Sequence, residues 1–422
     1  MRLAVVTTGV AMLASGGSLS ARADDALTLE TAVHLALTRN ERSAIADLDI
    51  KVAEAGVEKA RSAFLPGLQA GGNAQWRPRN NPSETASGNL ELSQPLLVPS
   101  VIPLYRQSKQ NLAAQIAQST DDKRQLTFDT AKAYFNVLLA DEVVKAAERK
   151  LDTAKADLAD TDAQSKAQLV STNDVTRAKI SLAGSERELA NDRGQLDAAY
   201  ISLELLINHK VAPGLAAPTA IVTASQNTPT AVDALVQAAI GKRPDLTARK
   251  HAALAAHDFA SEPRYRFLPS LVLSGQVSAT TSSNSGHDVD GFVELSANWT
   301  IWDFDRPADE KSRDAQAAIA DLQTDALARN VTAQVRSANA QLVAAQQALQ
   351  SAKSAMESAQ KSASETAVLY KQGLAKAIEL IDANDERFVA EVAYAEAEFT
   401  VANAYLALRQ AMGLDPIGTE LL

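Results

Sequence analysis

The chain is 422 residues long, contains no cysteine and carries a formal net charge of −10. That excludes disulfides, thiolate metal sites, cysteine nucleophiles and a lipid anchor on cysteine, and the acidic balance argues against a nucleic-acid partner. Apolar residues make up 46% of the sequence and aromatic ones only 5%, which suits thin, closely packed, alanine-rich helical layers better than one thick core.

Residues 1–23 read as a signal peptide. Arg2 supplies the positive start, Leu3 to Leu13 are largely apolar, and Ala21-Arg22-Ala23 is a small-x-small cleavage pattern. No other stretch approaches the roughly 20 apolar residues of a membrane-spanning helix. An exported chain of this kind is either soluble or a β-barrel.

Residues 24–210 form a first unit. A short helix is expected over Thr28 to Arg39 and a second over Glu41 to Ala63, ended by Phe64-Leu65-Pro66, where proline disfavours helix at the residue before it. Leu68, Ala70, Gly72, Ala74 and Trp76 then alternate with polar or small residues, and Asn89 to Gln94 alternates likewise. These predict two strands, at about 67–77 and 88–97, each with an apolar and a polar face. A long helix follows from about Leu104 to Lys166. Its apolar positions (Ala133, Val137, Ala140, Val144, Ala147, Leu151, Ala154, Leu158) step by four and three, the heptad pattern of coiled-coil packing. The helix breaks near Gln168 and a second long helix returns to Leu206.

Residues 211–229, with three prolines and no helical periodicity, read as a linker. The series then repeats over 230–422. Phe267-Leu268-Pro269 matches Phe64-Leu65-Pro66, strands are expected at about 270–281 and 291–302, and a long helix carries the same register from Ala338 to Ala363. It turns at Gly373 and a last helix closes the chain.

Each half thus offers one β-hairpin and one pair of very long antiparallel helices: a mainly α chain with a membrane β-barrel contribution. Four strands cannot close a barrel in lipid, where every backbone hydrogen bond must be satisfied internally, so several copies must share one. Trp76, Trp299 and Trp302, all in or beside expected strands, fit the membrane–water interface. Core tryptophans of a soluble sandwich are the alternative, but two hairpins some 200 residues apart lack a sandwich's regular strand spacing.

This order of parts resembles the TolC-like outer-membrane efflux proteins, the channel-tunnel family. The resemblance covers nearly the whole mature chain. It rests on the duplicated layout, the two Phe-Leu-Pro corners, Tyr370-x-x-Gly373-Leu374 with Glu379 and Asp382-Ala383, and the pair Tyr200-x-x-Leu203 and Tyr405-x-x-Leu408. It implies a homotrimer forming a 12-stranded barrel in outer-membrane lipid above an α-helical periplasmic tunnel. It also implies no enzymatic activity, and a role as the exit duct of a tripartite efflux pump or type I secretion system. Its partners would be a periplasmic adaptor protein and an inner-membrane transporter. Two departures stand out: Gln168 where the pattern has glycine, which predicts a looser first turn, and no counterpart in the first half to the Asp-x-Asp of Trp302 to Asp305.

Within that frame Glu379 and Asp382, at i and i+3 on the last helix, are the candidate pore constriction, six carboxylates in a trimer. A solvated acidic helix start is the structural alternative. Asp174, Tyr370 and Lys376 are candidate tip contacts that would hold the tunnel closed, with Tyr370 and Asp174 bonding across the coils. The five histidines are scattered, no nucleophile or phosphate-binding motif occurs, and no catalytic residue, metal or cofactor is expected. The competing function is a periplasmic adaptor or structural coiled-coil protein; an adaptor would show one helical hairpin flanked by lipoyl-like and barrel segments, usually with a lipid or membrane anchor, rather than two hairpin pairs with amphipathic strands.

Overall fold

A computed structural model describes residues 26–77, 83–227, 231–282 and 286–418; the expected signal peptide lies outside them. In chain order the elements are α1 (Leu29–Arg39), α2 (Glu41–Ser62), β1 (Gly67–Arg77), β2 (Ser83–Leu97), α3 (Val101–Lys166), α4 (Thr172–Ile207), α5 (Thr219–Ser225), α6 (Val232–Lys242), α7 (Pro244–Tyr265), β3 (Ser270–Ser282), β4 (Gly286–Asn298), α8 (Arg306–Lys371) and α9 (Ala377–Ala411). The duplication is plain, α1–α4 with their hairpin against α6–α9 with theirs. Both α3 and α8 contain 66 residues, about 100 Å of helix. Every heptad position read from the sequence is buried or half-buried.

The four strands form one antiparallel sheet in the order β1-β2-β3-β4. The hairpins are longer at their outer ends than the alternation suggests: β2 starts at Ser83 rather than about 88, and β4 at Gly286 rather than about 291. There the side chains are mostly polar, with Ala86 and Val289 the apolar exceptions, so the period-two signal fades while the ladder continues to Ser282↔Gly286. At the other end β4 stops at Asn298, short of the expected 302, because its last partner is Ser270 and Pro269 before it has no N–H to donate.

Below the sheet, α3 packs on α4 and α8 on α9 as antiparallel hairpins, which meet along α3 and α9. Helix α2 packs on the upper part of α3, and α7 on α3 and α8. The joints where α4 gives way to α2 and α9 to α7 are built alike. Asn40 caps α2 through its Oδ1 while its Nδ2 donates to the Leu206 carbonyl at 2.8 Å, near the end of α4. Arg243, before α7, grips Asp245 at 2.6 and 2.9 Å and donates to the Ala411 carbonyl at 3.2 Å, at the end of α9. Each upper helix therefore satisfies carbonyls that the lower one leaves without an intrahelical partner.

Asn208 (φ 47°) and Gly413 (φ 77°) make the left-handed turns at these joints. A Cβ on Gly413 would come within 3.0 Å of the Arg243 backbone, so only glycine fits there. The main core lies at this level and includes Leu126, Tyr134, Phe135, Leu203, Leu235, Leu342 and Tyr405. The Tyr134 hydroxyl is bonded to the carbonyls of Leu27 at 2.7 Å and Ala216 at 2.5 Å, which straps the entry segment and the linker to α3. The linker is not wholly irregular. Helix α5 forms within it because Pro218 opens a turn that buries Ile221 and Ser225, two positions too few to show a periodicity.

Candidate functional site

The sheet has two unlike faces. Cross-strand partners share a face, and one row reads Leu68, Leu92, Gly275, Val293, the next Ala70, Leu90, Val277, Gly291. Leu273 and Leu295 continue it, and most of these large side chains are exposed. The opposite face carries Gln69, Glu91, Gln276 and Phe292 in one row and Gly71, Asn89, Ser278 and Asp290 in the next. Phe292 and Val272 are its apolar exceptions. Trp76 lies at the hairpin-loop end of β1, whereas Trp299 and Trp302 follow β4 at the helical end. No described helix is long and apolar enough to cross a membrane. An exposed apolar sheet face of this extent marks a contact with lipid or with another protein.

At the far end of the long helices the two turns lie side by side around a cleft of about 800 Å³, lined by Asp174, Tyr370 and Lys376 among others. Both turns close in the same way. Gln168 (φ 61°) and Gly373 (φ 72°) are left-handed, with Leu169 N–H bonded to Gln164 O and Leu374 N–H to Leu369 O, each at 2.9 Å. The expected looser first turn is not found, because these wrap-around bonds hold Gln168 in the conformation glycine adopts more readily.

Glu379 and Asp382 both stand exposed in the first turns of α9, and Glu379 also accepts the Lys376 N–H at 3.3 Å, capping the helix. Asp174 is engaged locally, accepting from the Ser171 N–H and hydroxyl at 3.1 and 2.8 Å. Tyr370 is buried and its hydroxyl pairs with Thr161 Oγ1 of α3 at 3.1 Å. Within one chain, then, Tyr370 and Asp174 share a cleft but are each bonded to another residue.

Thr161 starts a series that the sequence reading missed. Climbing α3 in steps of four, Thr161 meets Tyr370, Asp157 meets Asn384 at 2.9 Å, Thr153 meets Arg387 at 3.3 Å and Arg149 meets Glu391 at 3.1 Å. Lys150 lies over the Phe388 ring and bridges Glu188 of α4 and Asp385 of α9 at 2.7 and 3.0 Å. Higher up the same seam turns apolar, with Phe135 edge-on to Phe399. The two hairpins are thus joined by apolar packing above and by polar links near the tips. The i, i+4 spacing of polar residues on α3 was the available signal, but only tertiary packing distinguishes such a ladder from a solvated helix face.

Burial, aided by the charge of Asp160, pushes the Asp157 carboxyl above its usual value of 3.8, against the pull of Asn384, Arg387 and Lys371. An acid whose folded pKa is raised makes the fold less stable as pH rises from that usual value through the folded one. Asp157→Asn keeps an acceptor for Asn384 and removes the buried charge. It is expected to increase amide-exchange protection across the α3–α9 seam at neutral pH, with the gain vanishing below about pH 4. Reduced protection at neutral pH would mean that the carboxylate holds the seam.

Comparison with known proteins agrees with this architecture. The family model "Outer membrane efflux protein" matches residues 32–209 and 235–414, one match per half. No match was found among curated proteins. Among solved structures the chain resembles CusC (TM-score 0.79, 18% identity, covering 92% of each chain). It also resembles the outer membrane protein VceC of Vibrio cholerae (0.76, 16%, covering 92% of this chain and 96% of that one). A third is the open state of the Neisseria gonorrhoeae MtrE outer membrane channel (0.76, 21%, covering 92% and 89%). Those identities speak for the fold, and the family model, matched across both halves, decides the assignment: the chain belongs to the outer membrane efflux protein family.

Proposed function

We propose that three copies of this chain close their sheets into a 12-stranded barrel in the outer membrane, continued by a helical tunnel into the periplasm. The assembly is the exit duct of a tripartite efflux pump or type I secretion system, through which substrate passes passively. The observation that carries this reading is the open four-stranded sheet, with two unpaired edges and one exposed apolar face, set on paired coiled-coil hairpins. Pairing β1 of one copy with β4 of the next removes both edges and turns the apolar face to lipid. The tips, 164–174 and 371–377, then face the periplasm, where an adaptor's helical hairpin would dock and an inner-membrane transporter would deliver substrate.

Three-fold symmetry brings Glu379 and Asp382 into a ring of six carboxylates, which concentrates cations at the mouth and repels anions. Tyr370, Asp174 and Lys376 border the cleft that a neighbouring copy or an adaptor would fill. The periplasmic adaptor reading is disfavoured by the two hairpins and the sheet.

Fractionation tests the duct. The protein should sediment with outer membranes, resist carbonate extraction and run as a heat-sensitive trimer; recovery from the soluble periplasm would overturn the reading. In planar bilayers Glu379→Gln with Asp382→Asn, which retains acceptors at the helix start, is expected to lower cation-over-anion preference by about tenfold. Unchanged selectivity would remove the carboxylate ring from the proposed duct.

A further inference from the structure

Beside the joint between α9 and α7, bounded by α3, α8 and the end of α9, lies a cavity of about 600 Å³. Its polar wall includes Arg124, Arg243, Gln334, Ser337, Gln341 and Gln410, and its apolar wall is made of alanines. No carboxylate lines it, although the chain as a whole carries −10. Arg124 and Arg243 are 6% and 8% exposed, each offset by its own aspartate, Asp121 and Asp245. The amides are oriented by cations. Arg243 donates to Gln334 Oε1 at 2.6 Å, and Lys132 donates to Gln410 Oε1 at 3.0 Å. With their oxygens committed in this way, both glutamines present their NH2 groups as open donors, and neither Nε2 has a protein acceptor among the described residues. Once the two arginine–aspartate pairs cancel, Lys132 leaves the site with a net positive charge.

The duplication supplies an internal control. In the register that aligns the two halves, the positions of Arg243, Gln334 and Gln410 are taken in the first half by Asn40, Asp129 and Leu205. There Asp129 pairs with Arg42 at 2.7 Å, and Asn40 alone ties the upper helix to the lower one. Closing such a joint therefore needs neither a second arginine nor a pair of oriented amides. The second half carries donors beyond those its own contacts use. Its cavity also lies in the range of small-molecule sites, about 300–1,000 Å³, and is far larger than an inorganic anion requires.

We propose that this cavity binds a small organic anion, a carboxylate or sulfonate carried on an apolar body, one per chain. The anionic head is held by the Gln334 and Gln410 amides, where hydrogen bonds to a charged acceptor are strongest, and the body lies against Ala333 and Ala407. A ligand seated there touches α3, α8, α9 and the start of α7 together, and so stiffens the α9–α7 joint. The site is built within one chain and stands whether or not the duct reading does.

Equilibrium dialysis of the full-length protein in lipid nanodiscs, against empty nanodiscs, tests the site with naphthalene-2-sulfonate as probe and neutral naphthalene-2-methanol as its control. The sulfonate should bind saturably at one per chain and at least tenfold more tightly than the alcohol. Gln341 is exposed and makes no hydrogen bond among the described residues, so Gln341→Glu changes the charge of the cavity without breaking a contact. It should weaken sulfonate binding by about tenfold or more, whereas Gln341→Met should change it by less than about threefold. Ser337→Phe, which fills the cavity without adding charge, should abolish binding. Bound sulfonate should also slow amide exchange in residues 333–341 and 405–411, and Gln341→Glu should remove that protection. Absence of saturable binding, equal affinity for the alcohol, or unchanged affinity in Gln341→Glu would each overturn the proposal.

Discussion

Arg124→Met is expected to cost about 3–5 kcal/mol of local stability, the range found when one partner of a buried ion pair is removed. Arg124 and Asp121 are 6% and 3% exposed and joined at 2.6 Å, with a second contact at 3.1 Å. The same guanidinium donates to the Gln410 carbonyl at 2.7 Å near the end of α9, and Gln125 donates to the other Asp121 oxygen at 2.7 Å. Methionine fills much of the volume but leaves Asp121 charged in a site closed to water, and frees a carbonyl that the joint between α9 and α7 relies on. Because a membrane trimer does not unfold in two states, the measurement is amide exchange in the last turns of α9, where loss of the bond should open the joint. The double variant Asp121→Leu with Arg124→Met is expected to recover most of the loss, since an apolar pair avoids the desolvation that the ion pair incurs. Equal losses in the single and double variants would show that the Gln410 contact, not the ion pair, holds the joint.

Val293→Lys should destabilise the assembled barrel by about 2–4 kcal/mol, the cost of a lipid-facing lysine near the bilayer midplane. Val293 shares its row with Leu68, Leu92 and Gly275, about midway between the two aromatic ends. Ser278→Lys, three residues along β3 from Gly275, the partner of Val293, and on the opposite face beside Asn89 and Asp290, is expected to change stability by no more than about 0.5 kcal/mol. The readout is the temperature at which the trimer dissociates in lipid. Similar losses at both positions would mean that the two faces are not divided between lipid and lumen.

These effects belong to parts of the molecule that differ in how openly the sequence declares them. The strand faces were readable from Leu68 to Trp76 because alternation survives wherever one face meets an apolar medium. It faded before Asn89 in β2 and before Gly291 in β4, where most side chains are polar and only Ala86 and Val289 mark the apolar face. The heptads of α3 and α8 were equally open, since repeated burial on one stripe leaves a repeated spacing. At the tips, Gly373 announced its left-handed turn, but Gln168 adopts the same turn under constraint from the bonds around it. Of the candidate tip contacts, Tyr370 was named from its motif with Asp174 as its partner, while Thr161, which it meets within the chain, lies 209 residues away with nothing local to mark it.

Periodicity and duplication were therefore settled by the order of residues alone, because both are local or repeated properties: which stripe is apolar, where a helix must stop, how far one half resembles the other. Only the folded chain decided how the halves meet. The polar ladder between α3 and α9, the Asn40 and Arg243 joints and the strap at Tyr134 all join residues far apart in sequence, and each uses a side chain that would read as an ordinary surface group on an isolated helix. A polar residue acquires such a role only when packing removes water from around it and supplies a partner, and that is a property of the tertiary structure.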